Sequence, residues 1–237
     1  MVLPKEAFNR YKKTIDLKNL KHFGLPLIFI VGKPGAGKAT LCNWLRSNHD
    51  FSYVSVGQLL RDEASTNTKR GREIARYVYN VPRKLVPLEL VMEMLREQLG
   101  HFLYIHKPIV IQGFPRTYQQ AAAFEKEATI IKHLIYVNAS DEKAFERNVW
   151  KEKFMEKAPT PRFMIEKRVR SFEKMTMPVI EALKMENRVI EIDSNDDIEA
   201  MVRDGAKAYE KWLNRSRQGA EFLQNWKSLA GAGSYDH

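Results

Sequence analysis

The sequence has a single cysteine, Cys42, so no internal disulfide framework can form, and a reducing compartment is expected. Cys42 falls inside the first predicted helix and reads as a packed, inert thiol. No run of 18 apolar residues occurs, which excludes an ordinary transmembrane helix, and no membrane partner is expected. The first 24 residues lack the apolar segment of a secretory signal and carry six Lys or Arg against two acids, Glu6 and Asp16. Those acids, with little serine, also argue against a mitochondrial transit peptide, so a cytoplasmic location is expected. Internal repeats and low-complexity tracts are absent. Acids are in deficit as well: 29 Asp and Glu stand against 39 Lys and Arg, a formal charge of +10. Such a surplus fits nucleic-acid binding, or a site that holds two polyphosphates at once together with basic tails. Without a stripe of interleaved aromatic and basic residues the second reading is preferred, and no nucleic-acid partner is expected.

What is present is organised around one stretch, Leu27 to Thr40, LIFIVGKPGAGKAT. Leu27 to Val31 is a short apolar run and reads as a buried parallel strand. The spacing G-x-x-x-x-G-K from Gly32 to Lys38 is that of a phosphate-binding loop. Glycines let the backbone curl around an anion, and the helix that opens at Lys38 points its free amides and dipole at negative charge. Lys38 then reaches the terminal phosphates of a nucleoside triphosphate. An ordinary Gly-rich strand-to-helix turn explains the glycines but not the lysine and helix together.

At 237 residues with 44% hydrophobic content, the chain can bury a sizeable core. Strands are predicted at 51–56, 108–112, 134–137 and 189–192 besides the first. Helices are predicted from Lys38 to Asn48, from Gly57, through Tyr79, from Pro87, from Asp141 toward Lys151, from Arg162 to near Met185 as one long helix, and from Asp196 onward. Strands alternating with helices imply a parallel sheet covered on both faces. The expected architecture is an α/β three-layer fold with five parallel strands. The tail from Gln218 places Phe222, Leu223, Trp226 and Leu229 on one helical face, which suits either docking on the core or a protein partner.

Several motifs beyond the loop occur in a specific order: FSYVSVGQLLR (Phe51 to Arg61), LVPLELVMEML (Leu85 to Leu95), QGFPRTYQQ (Gln112 to Gln120) and KRVRSFEKMTMPVI (Lys167 to Ile180). With the loop, this order resembles the adenylate kinase family of nucleoside monophosphate kinases, in its short-lid form, over about residues 25–205. The resemblance implies a helical monophosphate-binding insert at 55–86 and a lid at 150–161, leaving a basic extension at 1–24 and a helical extension at 206–237. It implies that Gly35, Ala36, Gly37, Lys38, Ala39 and Thr40 cradle ATP, with the Thr40 hydroxyl near Mg2+. Arg61 and Arg116 would hold the monophosphate, Gln120 would read the adenine edge, and Arg168 would touch the transferring phosphate. Lys38, Arg116 and Arg168 form the implied catalytic set. Phosphoryl transfer needs positioning and positive charge more than acid–base help, and arginine forks suit phosphate oxygens. Taken singly, each residue has a plainer reading: Arg61 pairing with Asp62 or Glu63, Arg168 on a solvated basic face, Gln120 as a surface amide.

The sequence departs from the family where charge matters. Gln112 stands where the family has an Asp that organises the metal, Gln58 replaces an acid, Asn138 replaces an Asp, and Val56 replaces a Thr. Two lid arginines correspond to Lys151 and Lys157, which keep charge and lose the fork. Arginines aimed at transition-state charge are worth about 10³–10⁵ in related phosphoryl transfer. The expected activity is Mg2+-dependent transfer from ATP to a nucleoside monophosphate, foremost AMP, by a monomer. The alternative is a catalytically weakened relative that binds nucleotide and serves as a structural or interaction module.

Overall fold

Strands buried on both faces are near-continuous apolar runs. Five strands form the sheet, β1 Leu27–Val31, β2 Ser52–Ser55, β3 Ile109–Gln112, β4 Leu134–Asn138 and β5 Val189–Asp193, and the three inner ones, β1, β3 and β4, are such runs. The computed structural model describes Leu17, Leu20 and residues 25–79, 85–103, 105, 107–154, 161–195 and 197–215. All strand pairs are parallel, in the order β2-β3-β1-β4-β5. Around them lie α1 Lys38–Asn48, α2 Val56–Ala64, α3 Lys69–Val78, α4 Leu88–Leu103, α5 Tyr118–Glu127, α6 Asp141–Phe154, α7 Arg162–Met175, α8 Met177–Met185 and α9 Ile198–Arg215.

The two-residue period of a strand divides the core. Leu27, Phe29 and Val31 of β1 pack with Leu95, Phe114, Phe124, Phe172 and Ile180 in one cluster. Ile28 and Ile30 face the other way, toward Leu41, Leu45, Tyr209 and Trp212. The central strand is thus sealed on both faces, with every residue buried. Because β1 lies between β3 and β4, the loop that follows it opens at the carboxyl edge of the sheet, where the strand order reverses and ligands of open α/β sheets bind.

Three sequence expectations change. The helix drawn unbroken from Arg162 to Met185 is two helices, α7 and α8, separated at Thr176. Pro178 lacks an amide donor and its ring obstructs the preceding turn, so the helix restarts there with proline in its first turn. Thr176 is 2% exposed and donates its hydroxyl to the Arg116 carbonyl at 3.0 Å. The boundary drawn between 205 and 206 falls inside α9, whose Ala208, Tyr209, Trp212 and Leu213 are buried. Leu17 and Leu20, in the stretch read as a basic extension, belong to the core cluster around Phe29. The face carrying Phe222, Leu223, Trp226 and Leu229 lies outside the described residues.

Phe29 meets Phe124 edge-on at 5.4 Å and lies 6.3 Å from Phe114. Phe29→Ala is expected to lower unfolding free energy by about 3–5 kcal/mol, read from the urea midpoint with an unchanged slope.

Candidate active site

The loop Gly32–Lys38 turns on two residues in the left-handed region: Gly35 at φ 85° and Gly37 at φ 89°. A Cβ on Gly35 would lie 2.1 Å from the Ala144 carbonyl oxygen, so α6 packs directly on the loop backbone. Gly37 caps α1 without a side chain, which leaves the first amides of that helix free for a ligand. Lys38 folds back over the loop and donates Nζ to the carbonyls of Gly32 and Lys33, each at 2.7 Å. Its ammonium is pulled down to about 7, chiefly by burial and next by the nearby Arg116. Both effects disfavour the charged form, and an arriving anion would reverse them.

Lys33, which the motif leaves unspecified, is buried and has a structural role of its own. Its Nζ donates to Asp141 at 2.5 Å and lies 3.8 Å from Glu173. The loop is thereby tied to the starts or ends of two neighbouring helices, α6 and α7. No sequence signal marked this, because the partners lie more than a hundred residues away.

Beside the loop is a cavity of about 320 Å³ whose lining includes Pro34 and Gly113. Apolar side chains such as Val56, Leu60, Val86 and Val91 form much of its wall, and Arg61, Arg116, Lys167 and Arg168 bring positive charge; among the described residues no carboxylate lines it. Arg116 decides how this cavity reads. Burial pulls its guanidinium below its ordinary value, and no described residue pairs with it. A desolvated cation without a counter-ion is costly unless a ligand supplies the negative charge. The Arg116 main chain is held on both sides: its N–H donates to Gln120 Oε1 at 2.8 Å, and its carbonyl accepts from Thr176.

The predicted site residues largely converge. Arg61, Arg116, Gln120 and Arg168 all line the one cavity. Arg61 does not pair with Asp62 or Glu63; it donates to Gln58 Oε1 from two nitrogens, at 2.8 and 3.3 Å. Gln120 is 5% exposed, not a surface amide. Ala36 is buried, while Ala39 and Thr40 are exposed on the first turn of α1. Lys151 is exposed on α6 and near enough to Lys38 to add to its depressed pKa. Lys157 lies outside the described residues, as do its neighbours in 155–160.

The amides at the strand ends are occupied. Gln112 Oε1 accepts from the Tyr53 hydroxyl at 2.5 Å, and burial pushes that phenol up to about 12, so it stays a neutral donor. Gln58 donates to Asp62, and Asn138 donates to Glu191. Among the described residues no cluster of three or more His, Cys, Asp or Glu could hold a metal. The donor set therefore fits magnesium only as an ion carried by phosphates, with Thr40 able to add one hydroxyl oxygen; Mg2+ tolerates this because it keeps several waters and substrate phosphates as ligands.

A phosphate loop on the central strand of a parallel sheet, with an arginine-lined cavity beside it, defines a nucleotide-dependent phosphotransferase. Comparison with known proteins narrows the class. The adenylate kinase family model matches residues 30–188. A uridylate kinase of Schizosaccharomyces pombe is 34% identical over 191 residues, covering 79% of this chain and 98% of the relative. Adenylate kinase isoenzyme 1 of Caenorhabditis elegans is 30% identical over 195 residues, covering 81% and 92%. Adenylate kinase 1 of Schistosoma mansoni is 33% identical over 175 residues, covering 74% and 88%. The chain belongs to the adenylate kinase family, and it is a phosphotransferase of the nucleoside monophosphate kinase class.

An ammonium with a pKa of about 7 is largely neutral at pH 8, so an arriving polyphosphate must recharge it with a proton. Affinity for ADP is expected to be highest below that pKa and to fall as pH rises through it, by up to about tenfold per unit. Calorimetry at pH 8 in buffers of different ionisation enthalpy should show close to one proton taken up per ADP. Lys38→Met should abolish that uptake.

Proposed function

We propose that this enzyme transfers the terminal phosphoryl group of ATP to AMP, forming two ADP, with Mg2+ carried in on the triphosphate. The observation that supports the acceptor site is the desolvated guanidinium of Arg116, unpaired among the described residues, in a cavity that also has Arg61 and Arg168 on its wall. In this reading the loop from Gly35 to Thr40 holds the triphosphate, and Lys38 leaves the Gly32 and Lys33 carbonyls for its terminal phosphates. Arg61 and Arg116 hold the acceptor phosphate and Arg168 meets the group in transfer. The apolar wall takes the base. Magnesium offsets phosphate charge and ties the phosphates to the Thr40 hydroxyl. Lys151 and Lys157 supply lid charge, and closure of the 55–86 insert and the 150–161 lid excludes water that would compete as acceptor.

The uridylate kinase among the relatives favours a second reading of the acceptor, UMP. Val56 fits it too, since this wall residue offers no hydroxyl to a base.

The neutral Gln112–Tyr53 pair implies a rate below that of a site with a carboxylate there. A coupled assay across AMP, UMP, CMP and GMP should show turnover with AMP. Gln112→Asp should raise kcat at limiting magnesium by about tenfold or more, with the KM for AMP little changed. Silence with every monophosphate at high enzyme and magnesium, together with a silent Gln112→Asp variant, would leave nucleotide binding as the role.

A further inference from the structure

Lys33 is engaged through both its main chain and its side chain. Its carbonyl accepts from Lys38 Nζ at 2.7 Å and from the Ala36 N–H at 3.2 Å, so it shapes the loop from within. Its ammonium, on a side chain 10% exposed, donates to Asp141 at 2.5 Å and lies 3.8 Å from Glu173. Asp141 opens α6, and Glu173 lies in the last turn of α7. The chain leaves α6 at Phe154 and enters α7 at Arg162, so Lys33 holds both helices at the ends remote from the segment between them. Each helix has 14 residues and is about 21 Å long, so a small rotation at the held end is a large displacement at the other.

Apolar packing fixes these helices incompletely. Of the described side chains of α6 only Ala144 is buried. Ile165, Val169 and Phe172 seat α7 on the core, but apolar burial is non-directional. An ammonium held away from water must stay beside its carboxylate, which makes the Lys33 contact a directional one. Both helices carry cations of the site. Lys151 on α6 is near enough to act on Lys38, and Arg168 on α7 is on the cavity wall. Lys33 itself is not on that wall, so any effect it has on transfer runs through the residues it holds.

We propose that Lys33 is a positioning residue for phosphoryl transfer: its ammonium fixes α6 and α7 against the phosphate loop and so sets Lys151 and Arg168 at their working distance from Lys38. This role rests on the loop being the triphosphate site and on Arg168 meeting the group in transfer. A misplacement of about 1 Å can cost about 10²-fold in rate, whereas an ion pair with half-exposed carboxylates adds little to stability. Rate should therefore respond far more than folding does.

The test measures transfer from ATP to AMP, or to UMP if the wild type prefers it, together with calorimetric ADP binding. The variants are Lys33→Met, Lys33→Arg, Asp141→Asn and the double variant Lys33→Met/Asp141→Asn. Methionine keeps an unbranched apolar stem and removes the charge. Lys33→Met should bind ADP with wild-type stoichiometry, keep Kd for ADP and KM for the monophosphate within about threefold, and lose about tenfold or more in kcat. Lys33→Arg keeps charge and reach and should recover most of that loss. Asp141→Asn should lower both kcat and Tm, because it strands a buried ammonium. Added to Lys33→Met, it should lower kcat no further. A Lys33→Met variant whose kcat stays within about twofold of wild type overturns the proposal. So does a kcat loss matched by an equal loss of ADP-binding sites, which marks a role in folding alone, or a double variant in which the two losses multiply. A wild type silent with every monophosphate would instead remove the transfer reading, and the role of Lys33 with it.

Discussion

Positive charge held away from water and without a counter-ion is the constraint around which this site is built. Among the described residues Arg116 is half-buried and unpaired, and Lys38 hydrogen-bonds only to main-chain carbonyls. Leaving a cation so placed costs folding free energy, and neighbouring cations raise that cost. The surrounding structure supports it with neutral bonds. The Gln120 oxygen and the Thr176 hydroxyl pin the Arg116 main chain on either side. The sheet supports the loop from below, through a central strand buried on both faces. Only an anion relieves the electrostatic imbalance, and a phosphorylated ligand is the kind an arginine fork fits.

The acids near the loop are spent on structure. Asp141 is paired with Lys33, whose carbonyl in turn receives Lys38, so the loop conformation and the helix packed on it are linked. Gln112, at the end of β3, is a neutral amide that accepts a hydrogen bond from Tyr53. An uncharged side chain there repels phosphates less than a carboxylate would, and it is a poorer ligand for a hard cation.

Much of this was legible in the sequence because its physical causes are local. Two-residue alternation in Leu27–Val31 sent Phe29 and Ile30 to opposite faces, and the glycine spacing specified the loop. The split at Thr176 was less legible, since apolar periodicity continues across it and Pro178 is tolerated in the first turn of the next helix. Lys33 gave no signal, since Asp141 and Glu173 reach it only after the chain has crossed the sheet.

By itself the sequence determined the sheet class, the loop, and the arginines and amides available to the site, because spacing and residue chemistry act over short range. The tertiary structure alone decided how they are used. It gathered Arg61, Arg116, Gln120 and Arg168 on one cavity, left Arg116 without a counter-ion among the described residues, and bonded the Gln120 oxygen to a main-chain amide. The polarity of an amide and the pairing of a charge depend on which groups meet it in space, and those partners come from strands and helices far apart along the chain.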